Sequence, residues 1–349
     1  MRELIRDWGG EFVAVHHDSE ADAWIFIAVH SSRLGRPVGG TRMRVYGSPE
    51  EGLRDAQRLA EGMTYKWAAI DFPLGGGKAV IALPAPPAAE AREALLERYG
   101  DLVEALSGAF GTGVDMGVGP EDVVVIARRT GYVFGRPPSE GGAGDPGPWT
   151  ALGVFTGMEV AAGTVFGSSD LEGRTVVVQG VGDVGGPLAR RLAEAGAALK
   201  LSDVDAGRAE RLAGELGAER VPADDVYDEA CDILAPCAVG GVLNAETIPR
   251  LRCRIVAGSA NNQLGEAEDA ERLLARGILY APDYIINAGG AIAHGGLEAL
   301  DMNEAEVRER VLGIGPTLEA IFDESARDAA SPVHAADRRA RAVLERGRA

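Results

Sequence analysis

The sequence predicts an α/β protein of two domains, a mixed N-terminal unit followed by a doubly wound parallel sheet. Three observations predict it. The chain has 349 residues, more than one ordinary core accommodates. The segment Pro137 to Pro148 (PPSEGGAGDPGP) reads as a linker. Beyond it, short apolar runs alternate with helical patterns to about residue 290, the signature of a doubly wound sheet. The expected division is 1–137 for the first domain and 138–329 for the second. A C-terminal helix over 330–349 is expected to pack back on the first.

The elements follow in order. Residues 11 to 45 alternate apolar and polar positions, as in Trp24-Ile-Phe-Ile-Ala-Val29, and read as strands. Ser48-Pro49-Glu50-Glu51 is a capping box with proline at the first helical position. The helix after it carries Leu53, Ala56, Leu59, Ala60 and Met63 on one face and runs toward Lys66. Ala79 to Leu83 is an apolar run ended by Pro84, and an amphipathic helix covers roughly 88 to 107. After the linker come a helix near 150–165 and the strand Thr175-Val-Val-Val-Gln179, whose unbroken apolar run suits a buried parallel strand. A long helix from about 303 to 325 and a final one from 334 close the chain.

Composition excludes several classes. Charge sums to −18, which repels phosphate backbones and argues against nucleic acid as a partner. No stretch reads as a run of ~18 to 20 apolar residues, so no membrane span is expected. MRELIRDWGG lacks the apolar run of a secretory signal, and a cytoplasmic location is expected. Cys231, Cys237 and Cys253 fit no zinc spacing, so no metal site is expected and they read as small buried hydrophobes. Arg338, Arg339, Arg341, Arg346 and Arg348, interrupted by acids, read as a solvated helix face.

One shortage is informative. Only Lys66, Lys78 and Lys200 are lysines, against 32 arginines among 35 basic residues. Arginine does not lose its proton in a protein, so lysine persists where a compact cation or a titrating amine is needed. Lys66 follows Met63-Thr-Tyr, and Lys78 follows Gly75-Gly-Gly. The second context is no P-loop, because Ala79 follows the lysine and Asp71 stands where the first glycine belongs.

Gly180-Val181-Gly182-Asp183-Val184-Gly185 follows the 175–179 strand and opens a helix. Asp203 ends the next strand, 18 residues on. Strand, glycines, helix and acid together form a dinucleotide fingerprint. Gly180 makes the tight turn, Gly182 lets backbone N–H groups approach a pyrophosphate, and Gly185 lets helix and strand pack. Asp203 is suited to the adenosine ribose hydroxyls, and a 2′-phosphate would meet both Asp203 and Asp205. NAD is therefore expected over NADP.

Gly39-Gly-Thr-Arg-Met43, Gly62-Met-Thr-Tyr-Lys66, Leu74-Gly-Gly-Gly-Lys78, Gly180-Val-Gly182, Ala235-Pro-Cys-Ala238, Gly258-Ser-Ala-Asn-Asn262 and Ala281-Pro-Asp-Tyr-Ile-Ile-Asn-Ala-Gly-Gly290 resemble the glutamate/leucine/phenylalanine/valine dehydrogenases. The matches run in order from about residue 30 to residue 335. The resemblance implies a substrate domain followed by a Rossmann domain, and an NAD-dependent oxidative deamination of an L-amino acid to its 2-oxo acid and ammonia. It makes Lys66 the anchor for the substrate carboxylate, Lys78 the general base that activates water, and Asp115 the proton shuttle to the amino group. A catalytic lysine needs its pKa pulled toward neutrality, and Lys66 is the candidate neighbouring cation. Gly39, Gly40, Met63, Gly113, Asn261, Ala291 and His294 become substrate-side residues. Ala238, Ser259, Ala260, Asn261 and Asn287 join the fingerprint at the cofactor. An oligomer is implied as well. The alternative readings are a turn residue for Asp115 and a helix or turn cap for Asn261. The chain also departs from the family pattern, with Val114 where many relatives have an acid and Met116-Gly-Val-Gly119 where many have threonines.

Glutamate-specific relatives resemble one another in placing a lysine where this chain has Val38, so glutamate is rejected; an unpaired carboxylate in an apolar pocket is costly. Small residues at Gly113 and Ala291 suit a large apolar side chain. His294, where an apolar wall is usual, either faces an aromatic group or caps a helix. Phenylalanine is expected ahead of leucine. Amination of another 2-oxo acid, or a non-catalytic NAD-binding regulator of the same fold, remain the competing readings.

Overall fold

The structure, a computed structural model, describes residues 5–347. The chain divides into two compact units: Met1–Asp145 with His294–Asn303 and Arg339–Ala349, and Pro146–Ala293 with Glu304–Arg338. The division differs from the one expected at residue 137, for reasons visible in hydrogen bonding. The Ala143 N–H donates to Glu298 Oε1 (2.9 Å), and His294 Nε2 lies 3.0 Å from the Gly144 carbonyl oxygen. These bonds tie the linker's second half, and the 294–303 return, into the first unit. The expected C-terminal return begins only at Arg339, because Arg338 Nη2 is held in the second unit by Glu324 Oε1 at 2.7 Å.

The first unit is built on a five-stranded sheet. Strand β1 (Phe12–Asp18) pairs antiparallel with β2 (Ala23–Ser31), which pairs antiparallel with β5 (Gly75–Leu83). The other edge of β5 takes β3 (Pro37–Val38) and β4 (Thr41–Val45), both parallel. All nine residues of β5 are buried. Its alternate side chains feed two cores. Ala79, Ile81 and Leu83 pack with Leu95 and Tyr99 of helix Ala89–Ala105. Val80 and Ala82 pack with Phe26, Ala28, Leu53, Ala56 and Ala60, the last three from helix Pro49–Ala69. That helix starts as the sequence predicts, with Ser48 Oγ accepting from the Glu51 N–H at 3.3 Å; Glu51 itself reaches the Gly47 N–H. A short parallel pair, β6 (Thr112–Gly113) and β7 (Val133–Phe134), completes the unit.

The second unit contains six parallel strands: β8 (Thr175–Gln179), β9 (Ala198–Ser202), β10 (Glu219–Arg220), β11 (Ile233–Pro236), β12 (Ile255–Val256) and β13 (Leu279–Tyr280). Their spatial order is β10-β9-β8-β11-β12-β13. This is the 3-2-1-4-5-6 order of a Rossmann sheet, with its switch point between β8 and β11. Cys231, Cys237 and Cys253 are free thiols.

Three expectations need correction here. Helix Gly147–Phe166, 20 residues long, does reach the length and apolarity of a membrane span. Its apolar surface goes to a protein interior instead: Gly153 abuts Ile314, and Gly157 abuts Ile286 and Leu318. The single helix expected over 303–325 is two, Glu304–Leu312 and Ile314–Asp328, parted at Gly313. The arginine-rich end is not merely solvated, since Arg338 pairs with Glu324 and Asp328, and Arg339 Nε donates to the Ala69 carbonyl at 3.2 Å. Arg348 lies outside the described residues.

Candidate active site

Lys78 sits on the central strand β5 with its side chain 9% exposed. It pairs with Ala28 and shares the strand face of Val80, which helix Pro49–Ala69 covers. Its Nζ lies 3.0 Å from Asp115 Oδ2. Asp115 is delivered by the turn after β6. Its N–H donates to the Val118 carbonyl (3.2 Å), and the Val118 N–H donates back (2.9 Å). The Met43 N–H donates to the Met116 carbonyl at 2.9 Å, fixing the turn against β4. Backbone pairing thus replaces the hydroxyls that threonines would supply. Asp115 is a turn residue and the partner of Lys78 at once.

The same Asp115 Oδ2 accepts from Arg42 Nε at 3.1 Å. Arg42 Nη1 reaches Asp55 Oδ2 at 3.0 Å, and Asp55 also accepts from the Tyr46 hydroxyl (2.7 Å) and Arg58 (2.8 Å). Burial pushes Lys78 below the ordinary lysine range; Asp115 opposes that shift, and the charge of Arg42 adds to it. Burial disfavours the Asp115 carboxylate, yet Lys78 and Arg42 hold it below the usual range. Arg42 is thus a cation facing this pair that the sequence reading, with Lys66 as its candidate, did not name. Arg42 pairs in register with Val80 and so occupies the Lys78 face of the sheet. It lay inside the Gly39–Met43 motif but was one of 32 arginines, with nothing local to mark it.

Gly39 and Gly40 bring the remaining groups close. A Cβ on Gly39 would lie 1.9 Å from the Gly77 carbonyl oxygen, with Met63 Cγ at 3.4 Å. A Cβ on Gly40 would lie 2.1 Å from the Val114 oxygen and 2.9 Å from Asp115 Cβ. Only glycine permits these approaches. Lys66 follows Met63 by three residues on helix Pro49–Ala69, so the two share a helix face. Gly113, on β6, is buried beside Phe134. His294 ends helix Gly289–His294 and lies against Gly135, as does Val114. Its Nε2 is spoken for by the Gly144 carbonyl, so the imidazole clamps the 144 turn. Glu298, absent from the sequence reading, closes this corner: it is 4% exposed and accepts from the Gly135 and Ala143 N–H groups.

The second unit gathers its candidates at the carboxyl ends of its strands. Gly180 follows β8 with φ +90°, and a Cβ there would come 2.7 Å from the Ala238 methyl, beyond β11. A Cβ on Gly185 would lie 1.8 Å from the Gly180 oxygen. Val181 is buried, Asp183 is exposed, and Val184 precedes helix Gly185–Glu194. Asp203, past β9, is already engaged. Its Oδ2 accepts from the Val181 N–H and its Oδ1 from the Asp205 N–H, both at 2.9 Å. Asp205 caps helix Ala206–Leu216 through the Arg208 N–H, and the Arg208 guanidinium lies 3.8 Å from Asp203 Oδ2. Past β12 and β13, Asn287 Nδ2 donates to the Ser259 carbonyl (3.1 Å) and to Asn261 Oδ1 (2.8 Å), with Ala260 buried between. The Asn261 side chain is therefore tied to Asn287, which ends helix Asp283–Ile286. Ala291 lies on helix Gly289–His294, partly buried.

Residues 13–136 match the Glu/Leu/Phe/Val dehydrogenase dimerisation domain, and residues 207–343 match the Glutamate/Leucine/Phenylalanine/Valine dehydrogenase domain. Leucine dehydrogenase of Thermoactinomyces intermedius is 43% identical over 96% of this chain and 91% of its own length. The chain belongs to the glutamate/leucine/phenylalanine/valine dehydrogenase family. Phenylalanine dehydrogenase of Lysinibacillus sphaericus is 40% identical over 96% of this chain and 88% of its own. The crystal structure of L-tryptophan dehydrogenase from Nostoc punctiforme superposes with a TM-score of 0.88 at 38% identity, covering 99% of each chain.

This protein is accordingly an amino-acid dehydrogenase, an oxidoreductase acting on CH–NH2 that depends on a pyridine nucleotide. The residues present fit such a cofactor. The bare backbone at Gly180 and Gly185 crosses the switch point, and helix Gly185–Glu194 points its N-terminus there, which suits a pyrophosphate. An ionised carboxylate has about four acceptor sites. Asp203 uses two on backbone N–H groups and keeps capacity for ribose hydroxyls.

Proposed function

We propose that this enzyme catalyses the reversible NAD-dependent oxidative deamination of a large apolar L-amino acid, phenylalanine first and leucine next. The observation that carries the mechanism is the buried Lys78–Asp115 pair, 3.0 Å apart. Lys66 grips the substrate carboxylate. Asp115 exchanges protons with the substrate amino group. Lys78, its ammonium destabilised by burial, takes a proton from the water that attacks the substrate imine. When bound, NAD accepts the hydride from the substrate Cα. Gly180, Val181, Gly182, Asp183, Val184 and Gly185 would hold its pyrophosphate and Asp203 its ribose, with Ala238, Ser259, Ala260, Asn261 and Asn287 beside it.

The side-chain preference rests on absence of charge. Val38 is 5% exposed and offers nothing to a second carboxylate, which argues against glutamate. The names of the relatives, leucine, phenylalanine and L-tryptophan dehydrogenase, agree with an apolar substrate. A difference of a methylene or two is worth only ~1 to 3 kcal/mol, so several amino acids are expected to react. We also place the protein in the cytoplasm as a homo-oligomer; a molar mass by light scattering equal to one chain would refute the oligomer.

The deciding experiment is a steady-state panel. L-Phenylalanine, L-leucine, L-tryptophan and L-glutamate are supplied with NAD or NADP, and absorbance of the reduced cofactor is followed. The proposal predicts that phenylalanine with NAD gives the largest kcat/KM and glutamate gives none. Silence with every amino acid would favour a regulator that keeps the fold.

A further inference from the structure

We propose that Arg42, backed by Asp55, is a positioning residue that holds the Asp115 carboxylate against Lys78 and sets the charge balance of that pair. The inference rests on the roles proposed above for Lys78 and Asp115. Its basis is geometric. One oxygen, Asp115 Oδ2, accepts from both Lys78 Nζ (3.0 Å) and Arg42 Nε (3.1 Å). The other end of the guanidinium is held by Asp55 Oδ2 at 3.0 Å. The side chains are 9% (Lys78), 22% (Asp115), 16% (Arg42) and 15% (Asp55) exposed, so solvent screens these charges little.

The arrangement joins three elements: β5, the turn after β6, and β4, with helix Pro49–Ala69 behind. Each of these elements brings charged or titratable groups. Asp115 comes from the turn, Arg42 from β4, and Asp55 and Lys66 from the helix. His30, on β2, is bonded to Thr64 at 3.0 Å. Arg58 and Tyr46 complete the surroundings of Asp55.

Arg42 always carries charge. Asp115 therefore keeps a cationic partner when Lys78 gives up its proton, and the base does not strand a buried carboxylate. Arg42 also repels the Lys78 ammonium, while Asp55 attracts it from farther away. The two residues consequently act on Lys78 with opposite signs. A role in packing alone has no such sign: opening the site by either substitution would move Lys78 the same way, toward its ordinary value.

The test exploits the lysine shortage. Protein grown on lysine labelled with ¹³C at Cε gives one signal for each of three lysines. Lys66→Arg and Lys200→Arg assign them. Titration then reads Lys78 with no substrate present. Arg42→Gln is expected to move the Lys78 midpoint up by roughly one unit, about a tenfold change in proton affinity. Asp55→Asn is expected to move it down. The acidic limb of the kcat profile for deamination should shift in the same two directions. Unmoved midpoints, or a shift of both variants in one direction, would overturn the inference. Should Arg42→Gln fail to fold, the sign for Asp55→Asn alone decides. If no amino acid reacts but the midpoints split as expected, the substrate proposal fails and the charge arrangement stands.

Discussion

Lys78 Nζ lies 3.0 Å from Asp115 Oδ2 in the middle of a sheet that is covered on both faces, and burial works against the charge of each. Each group partly offsets the cost that burial places on the other's charge. Such a pair exchanges its proton with little rearrangement, which is what deamination and its reversal need.

Removing the Lys78 amine removes the proposed base. Lys78→Ala is expected to lower kcat by roughly 10²- to 10⁴-fold, the usual contribution of general acid–base catalysis. NADH binding, measured by fluorescence titration, should stay within about twofold, because the glycine loop belongs to the other unit. Comparable losses in both would refute the base assignment.

The pH dependence has a definite sign. Below its pKa Lys78 is protonated and does not accept the proton of water. Deamination kcat should therefore rise with pH through a midpoint below the ordinary lysine range, since burial lowers that pKa. The reverse amination uses the protonated form and should peak at lower pH. A deamination profile flat until the free-lysine range would contradict the assignment.

Crowding at Gly39 is expected to be costly. Its Cβ would lie 1.9 Å from the Gly77 carbonyl oxygen, one residue before Lys78 on rigid backbone. Gly39→Ala should destabilise the protein by about 1 to 3 kcal/mol and reduce kcat as β5 shifts. Thermal denaturation and turnover check both, and an unaltered Tm would show that the strand gives way cheaply.

Asp18 supplies a stability marker away from the site. It is 3% exposed and paired with Arg98 at 2.5 and 2.9 Å. The Arg98 hydrogen bonds hold its carboxyl below the ordinary range despite burial. A depressed folded pKa means the contribution is present above the unfolded value and is lost as pH falls through the folded one. Asp18→Asn should cost on the order of 3 kcal/mol at neutral pH. The gap between variant and wild type should shrink on acidification below pH ~3.9. Denaturant midpoints that differ equally at all pH values would show that the ionised form has no special role.

Replacing Asp203, the proposed ribose acid, should change cofactor choice. Asp203→Ala is expected to raise the NADP-to-NAD ratio of kcat/KM by about tenfold, or ~1.4 kcal/mol. Arg208, 3.8 Å from Asp203, then becomes available to a 2′-phosphate. An unchanged ratio would remove Asp203 from the cofactor proposal.

Much of this was legible in the amino-acid order, for physical reasons. Lys78 stood out because glycines precede it and lysine is scarce. The Rossmann unit stood out because β8, its glycines and Asp203 fall within 29 residues, at local spacing. Arg42 and Asp55 did not, since their meeting depends on β4 pairing beside β5 and on which face the helix presents. The 294–303 return was hidden because the contacts that define it join residues 150 or more apart in the sequence, and local pattern does not report them. The bonds from Gly135 and Ala143 to Glu298 and between His294 and Gly144 reveal it.

Asp203 carries one more implication, for engineering. Its carboxylate is the strut under Val181, and the proposed preference for NAD rests on that same strut. A redesign toward NADP that swaps this acid alone would slacken the turn it is meant to retune. The durable exchange comes in pairs: a new base for the extra phosphate, and a second group, no larger than a serine hydroxyl, to catch the orphaned amide.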